Sequence, residues 1–262
     1  MTSASAWRIA GTSIAGPMHL SSGGDCQDRH RVEVTAGGAL VAVVSDGAGS
    51  ARFGGEGAAL LCDAIVARLA VFAGGAASGR GGRSLLAGAC RAVRDAVVQA
   101  RESAAALGAE RGVTIDAFHA TLVGALVTPG DGGIFFHIGD GAALALASAD
   151  GRWQMSGPRN GEYADTTYFF TEADWRRNLR FSRIEPGYDT IFVMTDGVTD
   201  LALSRKGGAP EPFLPFFEPI GRFLAGTTRE AGEEALSATL GSEAARARTL
   251  DDKTLVWAQA VR

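Results

Sequence analysis

The sequence predicts a layered α+β fold, in which strands and paired helices share one core. Strand-like apolar runs and helix-spaced segments follow the order strands, two helices, strands, two helices, strand. Of the 262 residues, 46% are hydrophobic and 21% are charged, which is ample for a packed core. Because no shift in composition divides the chain, we expect a single domain over residues 1–262.

The first half contains three predicted strands and two predicted helices. Short apolar runs beside glycine turns predict the strands Trp7–Ile14, Arg31–Ala36 and Ala39–Ser45. Apolar residues that recur every three or four positions predict helices from about Gly55 to Phe72 and from about Ser84 to Leu107. The Gly-rich stretch Gly74–Gly82 between them is typical of a flexible linker.

The second half returns to strands and then to helices. The predicted strands are Phe118–Val127, Ile134–Ile138, Ala142–Ala147, Thr190–Met194 and Lys253–Val261. Helices are predicted at Phe213–Leu224 and Arg229–Leu240. The polar, aromatic segment Trp153–Arg183 has no regular period, and it is interpreted as a surface flap.

Charge and cysteine content exclude several classes of protein. The net charge is −4 and no run of Lys or Arg forms a basic stripe, so no nucleic-acid partner is expected. Three widely spaced cysteines indicate neither a disulfide framework nor a zinc knuckle. No apolar run approaches the ~20 residues of a membrane helix, and no signal peptide is recognised. These observations favour a cytoplasmic protein without a membrane partner.

Three strand-like segments end in an Asp-Gly pair, at Asp46-Gly47, Asp140-Gly141 and Asp196-Gly197. Further acidic residues, Asp28 and the pair Asp251-Asp252, precede other strands. Carboxylates held about 4 Å apart repel by roughly 4 kcal/mol at an effective dielectric constant of 20, so they need cationic partners. Few basic residues adjoin these aspartates, and oxygen ligands suit Mg²⁺ or Mn²⁺. Two such ions can lower the pKa of a shared water towards ~7 and make a hydroxide nucleophile.

Other interpretations of these residues remain open at this stage. Asp-Gly is common in tight hairpins, and for Asp140, which lies between two apolar runs, a turn role is as plausible as a metal role. Asp46 and Asp196 are not followed by a returning strand. Cys26 lies near Asp28 but is interpreted as a small buried thiol, and His137 as a core histidine. A serine hydrolase is excluded because G-x-S-x-G does not occur.

Five motifs occur in the order found in the protein phosphatase 2C family of metal-dependent serine/threonine phosphatases, which the chain resembles over roughly residues 10–260. They are Asp46-Gly47-Ala48-Gly49-Ser50, Ala120-Thr121-Leu122, Ile138-Gly139-Asp140-Gly141, Thr195-Asp196-Gly197-Val198-Thr199-Asp200 and Asp251-Asp252-Lys253-Thr254. Gln27-Asp28 is similar to the family's first acidic motif. The resemblance implies a four-layer α-β-β-α sandwich, two antiparallel sheets flanked by helices, with the metals at one end.

The resemblance also implies roles for individual residues. Asp46 would bridge two Mn²⁺ or Mg²⁺ ions, and the Gly47 carbonyl would bind the second ion. Asp196 and Asp251 would hold the first ion, and Asp28 would serve the second, directly or through water. Asp46, Asp196 and Asp251 would thereby act in catalysis through the metal-bound water. Asp140, together with Asp200, would belong to a weaker third site.

The chain departs from the family pattern at three positions. Gly23 stands where many members carry an arginine that grips the substrate phosphate, and Gln27 replaces a glutamate. Ala48 stands where eukaryotic members carry a histidine proposed as the general acid. Phosphate gripping and leaving-group protonation are therefore unassigned, and His19 and Arg52 are the candidates on sequence proximity alone.

Three functions follow as hypotheses. The leading one is a phosphoprotein phosphatase that attacks phosphoserine or phosphothreonine with a metal-bridging hydroxide. Its partner would be a phosphorylated protein, it would counteract a serine/threonine kinase, and it would be a monomer. The alternatives are a non-catalytic module that binds phosphorylated or metal-dependent partners, and a hydrolase of small phosphate esters.

Overall fold

Two five-stranded antiparallel sheets form the centre of the protein. The computed structural model describes residues 7–76, 82–128, 131–159, 167–204 and 208–261. In spatial order, the first sheet contains β1 (Trp7–Ile14), β12 (Lys253–Ala260), β9 (Thr190–Met194), β6 (Ala142–Leu146) and β7 (Trp153–Ser156). The second sheet contains β2 (Arg29–Val34), β3 (Leu40–Ser45), β4 (Leu122–Thr128), β5 (Gly132–Ile138) and β8 (Arg180–Ile184).

Helices cover the outer face of each sheet. Beside the second sheet lie α2 (Gly54–Ala76) and α3 (Gly82–Arg111). Beside the first sheet lie α5 (Asp196–Ala202), α6 (Leu214–Ala225) and α7 (Arg229–Leu240). Shorter elements complete the described parts: α1 (Pro17–Ser22), α4 (Trp175–Asn178), α8 (Glu243–Arg246) and a small hairpin of β10 (Leu203–Ser204) with β11 (Glu211–Pro212).

Three buried apolar layers hold the four layers of secondary structure together. The alternation of β3 shows how one strand serves two of them: Val41 and Val43 pack under α2 and α3, whereas Ala42 and Val44 pack between the sheets. The third layer places Phe192 and Trp257 of the first sheet against α6 and α7. The predicted four-layer α-β-β-α sandwich is therefore confirmed.

The sheets are also fastened at the end where β1 begins. The indole Nε1 of Trp7, in the first sheet, donates a hydrogen bond of 3.0 Å to the carbonyl oxygen of Gly38. Gly38 lies in the turn between β2 and β3 of the second sheet and has a φ of +78°, which glycine adopts without strain. A second hydrogen bond, of 2.8 Å from the Glu185 backbone N–H after β8 to Gln154 Oε1 in β7, also joins the two sheets at this end.

Helix α2 differs from one expectation, because its length and composition alone would allow it to cross a membrane. The expectation that no apolar run approaches that length is wrong for this segment. Its apolar character has another explanation in the packing, since Leu61, Ile65 and Leu69 are fully buried against the second sheet and α3. Burying such side chains contributes about 1.5–3 kcal/mol each.

Most element boundaries agree with the sequence within a few residues, and three regions need correction. Phe118 belongs to a short 3₁₀ turn (Ile115–Phe118), so the strand predicted from Phe118 begins at Leu122. The segment Trp153–Arg183 is not a flap throughout, because its two ends form β7 and β8 and complete one sheet each. Residues 160–166 in its middle lie outside the described residues. The predicted linker Gly74–Gly82 overlaps α2 and α3, and only its residues 77–81 lie outside the described part.

Candidate metal centre

The predicted aspartates meet at one end of the sandwich, and they come from both sheets. Asp46 and Asp140 follow β3 and β5, which run in the same direction because each pairs antiparallel with β4. Asp28 precedes β2, whose first residue lies opposite the last residue of β3. In the first sheet, β9 ends before Asp196 and its antiparallel neighbour β12 begins after Asp251. Strand direction within each sheet and the packing of the two sheets on each other therefore gather five carboxylates from distant parts of the chain.

Asp28 is the most enclosed of these residues. Its side chain is 1% exposed, and its Oδ2 accepts a hydrogen bond of 2.7 Å from the Thr195 hydroxyl. Burial raises the pKa of Asp28 to about 8, because the effect of burial and of the neighbouring Asp196 and Asp252 outweighs the hydrogen bonds from Thr195 and Thr254. Among the described residues, no ion pair or hydrogen bond gives the Asp28 carboxylate a positively charged partner.

The carboxyl groups of Asp46 and Asp196 are likewise buried close to other acidic groups. Burial raises the pKa of Asp46 well above its ordinary value, and the charges of Asp28, Asp251 and Asp140 raise it further. Burial likewise raises the pKa of Asp196, with Asp46 as the strongest of the neighbouring charges. The carboxyl groups raise one another's pKa because they lie close together. The sequence could only place these residues at separate strand ends.

Asp140 does not occupy a hairpin, and the turn interpretation is wrong. The strands on either side of it, β5 and β6, belong to different sheets, so Gly139-Asp140-Gly141 is a crossing between sheets. Gly139 has a φ of +106°, a conformation that favours glycine. The Thr167 hydroxyl donates a hydrogen bond of 2.5 Å to Asp140 Oδ2. Burial raises the pKa of Asp140, and the nearby Asp251 adds to the effect.

The adjacent residues Asp251 and Asp252 have different surroundings. Asp252 is 2% exposed, and its carboxylate accepts hydrogen bonds from the backbone N–H groups of Gly16 (2.7 Å) and Gln27 (2.6 Å) and from His19 Nδ1 (2.8 Å). Asp251 receives one, of 2.9 Å, from the Asp252 backbone N–H. Burial raises the pKa of Asp251, while His19 and Lys253 partly oppose the increase. Asp251 is thus available as a ligand, whereas Asp252 fastens α1 and the segment before β2 to the start of β12.

The loop after Asp46 is shaped by Gly47. A Cβ atom on Gly47 would clash with the backbone of Gly54 at the start of α2, so glycine is required for this close approach. With its amide nitrogen turned towards the loop, Gln27 lies 3.2 Å from the carbonyl oxygens of both Gly47 and Ala48 and donates to them. The Gly47 carbonyl that the resemblance assigns to a metal is therefore held in place by the residue that replaces the family's glutamate.

The donor set suits a hard divalent cation. One carboxylate oxygen each of Asp28, Asp140 and Asp196 is buried without a hydrogen-bond partner. Buried acceptors of this kind cost free energy unless a donor or a cation satisfies them. Within the described residues, no three His, Cys, Asp or Glu side chains are arranged so that they could hold a metal ion as they stand. Magnesium characteristically keeps several waters and uses few protein ligands, so an open carboxylate site is compatible with it.

The remaining candidates lie apart from this cluster or are already engaged. Asp200 is exposed on α5, and none of the described interactions links it to the other aspartates. Arg52 is exposed, with its guanidinium 5.2 Å from the centre of the Phe53 ring. Burial raises the pKa of the Cys26 thiol, which argues against a nucleophile. His137 is fully buried and bonded to Ser156, although its Nε2 has no partner, so only one of its nitrogens is satisfied.

One residue near Asp46 was not singled out from the sequence. His119 lies directly across from Ala48, whose backbone N–H donates a hydrogen bond of 3.0 Å to the His119 carbonyl oxygen. The only hint in the sequence is that His119 comes two residues before Thr121, in the second of the five motifs. Its nearness to Asp46 depends on the pairing of segments about seventy residues apart.

Comparisons with known proteins identify the family to which the chain belongs. A profile of the family described as protein phosphatase 2C matches residues 15–241. Serine/threonine-protein phosphatase 3 of Escherichia coli (strain K12) is 30% identical over 271 residues, which cover 97% of this chain and 99% of the relative.

Solved structures show the same fold at lower identity. PppA of Pseudomonas aeruginosa, described as a key regulatory component of T6SS, superposes with a TM-score of 0.62 at 16% identity, covering 97% of this chain and 98% of that one. Serine/threonine phosphatase Stp1 of Staphylococcus aureus gives a TM-score of 0.61 at 17% identity, covering 100% and 98% of the two chains. The chain belongs to the protein phosphatase 2C family and is a protein serine/threonine phosphatase, of a family in which metal dependence is general.

Proposed function

We propose that this protein hydrolyses phosphoserine and phosphothreonine in proteins with two Mg²⁺ or Mn²⁺ ions held by Asp28, Asp46, Gly47, Asp196 and Asp251. The observation that carries the proposal is the convergence, from both sheets, of carboxylates with raised pKa values and unpaired buried oxygens. Such a group is unfavourable in isolation and becomes favourable around cations.

The ions and the residues around them would have different roles in this site. When bound, the ions would lower the pKa of the attacking water and neutralise charge on the phosphoryl group. Asp46 stands at the end of the second sheet and Asp196 and Asp251 at the end of the first, so the rigid strands fix their separation. Thr195 holds Asp28 by its Oδ2 and leaves Oδ1 free to act as a ligand or to bind a coordinated water. Asp140, held by Thr167, would contribute to a third and weaker site.

Relatives support the type of substrate and the type of ion. The Escherichia coli relative is named a serine/threonine-protein phosphatase, and a structure of RsbX in complex with magnesium shares this fold with a TM-score of 0.55 at 12% identity. A phosphatase of this specificity removes the groups that serine/threonine kinases add, so we propose that it counteracts such a kinase.

The test compares a site aspartate with an exposed one. Turnover of p-nitrophenyl phosphate and of a phosphothreonine peptide would be measured with Mn²⁺, with Mg²⁺ and with excess chelator, for the wild type, Asp46→Asn and Asp63→Asn. Asp63 is the matched control because it is 57% exposed and pairs with Arg31 at the surface. We expect chelator to abolish turnover, Asp46→Asn to lower it at least about 100-fold (~2.7 kcal/mol in barrier), and Asp63→Asn to stay within about twofold.

Three results would contradict the proposal. Turnover that persists in excess chelator would exclude a carboxylate-held metal. A folded, metal-binding protein without turnover of either substrate would instead favour a non-catalytic phosphoprotein-binding module, while turnover of the aryl phosphate alone would favour a hydrolase of small phosphate esters.

A further inference from the structure

The pairing of β3 with β4 continues beyond the last residues of the two strands and reaches His119. The Thr121 backbone N–H donates to the Asp46 carbonyl oxygen (2.9 Å), and the Ala48 N–H donates to the His119 carbonyl oxygen (3.0 Å). Gly47 and Ala120 lie opposite each other between these bonds. His119 is therefore the cross-strand neighbour of Ala48, and Thr121 that of Asp46.

The direction of the side chains follows from this register. Ala120 is buried in the layer under α2 and α3, and a Cβ on Gly47 would meet the start of α2. Because side chains alternate along paired strands, Asp46 and His119 project to the opposite face, which is the face of the carboxylate cluster. Diagonal neighbours across an antiparallel pair lie roughly 7–8 Å apart, with their Cβ atoms somewhat closer, and long side chains can bridge this spacing.

The imidazole of His119 is held in one orientation. Its Nδ1 lies 2.5 Å from the hydroxyl of Thr171, which is 2% exposed, and its ring stacks on Phe169 with 4.7 Å between centroids. The segment carrying both partners is fixed by hydrogen bonds from Phe170 N to the Ala120 carbonyl (3.0 Å) and from Arg101 to the Phe170 carbonyl (2.6 Å). Nε2 has no hydrogen-bond partner among the described residues, and His119 as a whole is partly exposed.

An acidic residue, Glu172, lies near the imidazole of His119. Burial raises the pKa of Glu172, and the interaction with His119 acts in the opposite direction. The Oε2 atom of Glu172 is buried without a hydrogen-bond partner among the described residues. The other three histidines are engaged elsewhere: His19 with Asp252, His30 with Ser13 and the fully buried His137 with Ser156.

We propose that His119 is a further catalytic residue of this protein, the proton donor to the serine or threonine leaving group. The role rests on the proposed phosphatase function. The oxygen of water forms a bond to phosphorus, the bond from phosphorus to the side-chain Oγ breaks, and its electron pair stays on Oγ. His119 Nε2–H gives a proton to Oγ and yields the free alcohol. The attacking water releases one proton to solvent, and the imidazole takes one back.

The test uses leaving groups that differ in their need for a proton. A p-nitrophenolate leaves as a stable anion, whereas a threonine alkoxide must be protonated, and general acid catalysis contributes about 10²–10⁴-fold. His119→Gln keeps a hydrogen-bonding group near Thr171 but cannot supply the proton. At saturating Mn²⁺ we expect its kcat on a phosphothreonine peptide to fall by about 100-fold or more, with kcat on p-nitrophenyl phosphate within about threefold of the wild type. His30→Gln is the matched control, and it should leave both rates unchanged.

A second variant covers the case in which His119→Gln does not fold. Thr171→Val removes the hydroxyl that orients the ring but keeps the imidazole, so it should give a smaller loss with the same preference for the aryl phosphate. Equal losses on both substrates, or an unchanged rate on the peptide, would overturn the role of His119. Absence of metal-dependent turnover in the wild type would overturn the proposed function itself, and with it this role.

Discussion

Asp28 is a site residue whose burial costs free energy in the absence of metal. It combines complete burial, an unpaired Oδ1 and a pKa raised to about 8. In the unfolded chain the same carboxyl group ionises near its ordinary value of 3.8. At pH 8 without metal, folding therefore forces this group to take up a proton or to remain charged in a poorly solvated place.

Replacing Asp28 by Asn removes that cost. We expect Asp28→Asn to raise the Tm of the metal-free protein at pH 8 by at least about 2–4 °C, which corresponds to ~1 kcal/mol for a chain of this size. The increase in Tm on adding Mn²⁺ should become smaller, because a ligand is lost. Thermal unfolding in chelator and in Mn²⁺ measures both effects, with Asp63→Asn as the exposed control. A lower metal-free Tm in Asp28→Asn would show that the carboxyl group is satisfied without metal.

At this scale the sequence located most of the site but not its internal organisation. Asp46, Asp140 and Asp196 were predictable because each follows an apolar strand, and strand ends recur at one edge of a sheet. The sequence did not distinguish a hairpin from a crossing at Asp140, because the difference depends on which sheet the next strand joins. The separate roles of Asp251 and Asp252 and the position of His119 depend on contacts between distant segments, which no local pattern encodes.

At the scale of elements, the close packing of α2 depends on glycine on one of its faces. A Cβ on Gly57 would clash with the carbonyl oxygen of Phe118, whereas Gly74 on the same helix has open space around it. The sequence predicted this helix from its apolar period but missed its full length, since glycine ordinarily weakens helices. The short helices α1 and α5 were missed as well, since six and seven residues carry too little periodicity.

This contrast gives a prediction within one helix. Gly57→Ala should destabilise the protein by about 1–3 kcal/mol, the usual range for overpacking a well-packed core. Gly74→Ala should leave its stability unchanged or raise it by up to about 1 kcal/mol, because alanine is the better helix former. Urea unfolding of the two variants is the measurement. Similar stabilities of both would mean that α2 can shift away from the 3₁₀ turn at no cost.

At the scale of the whole molecule, the clustered carboxyl groups link stability to both pH and metal. The pKa values of Asp28, Asp46 and Asp196 are all raised in the folded state. Between pH 3.8 and about 8 the folded protein therefore holds protons that the unfolded chain has released. Linkage then requires the free energy of unfolding to fall as pH rises through this window and to level off above it.

We expect the Tm of the metal-free protein to decrease from pH 5 to pH 8, and saturating Mn²⁺ or Mg²⁺ to restore it most strongly at pH 8. Cations compete with the bound protons for the same carboxyl oxygens, so their effect grows as protons become scarce. Thermal unfolding across this pH range, with chelator and with each metal, measures both trends. A metal-free Tm that rises from pH 5 to pH 8 would mean that these groups ionise in the folded protein without cost.

The two ends of the sandwich differ in how they are fastened, and this has a consequence for slow opening motions. Where β1 begins, the sheets are joined by the hydrogen bonds from Trp7 to Gly38 and from Glu185 to Gln154, and a neutral hydrogen bond contributes only about 1 kcal/mol. At the other end, ions shared by Asp46 of one sheet and Asp196 and Asp251 of the other would hold the two sheets together. Fluctuations that part the sheets would then start at the Trp7 end. Backbone amides there would exchange with deuterated solvent at rates nearly independent of metal, while those beside the carboxylates would exchange much more slowly once it binds.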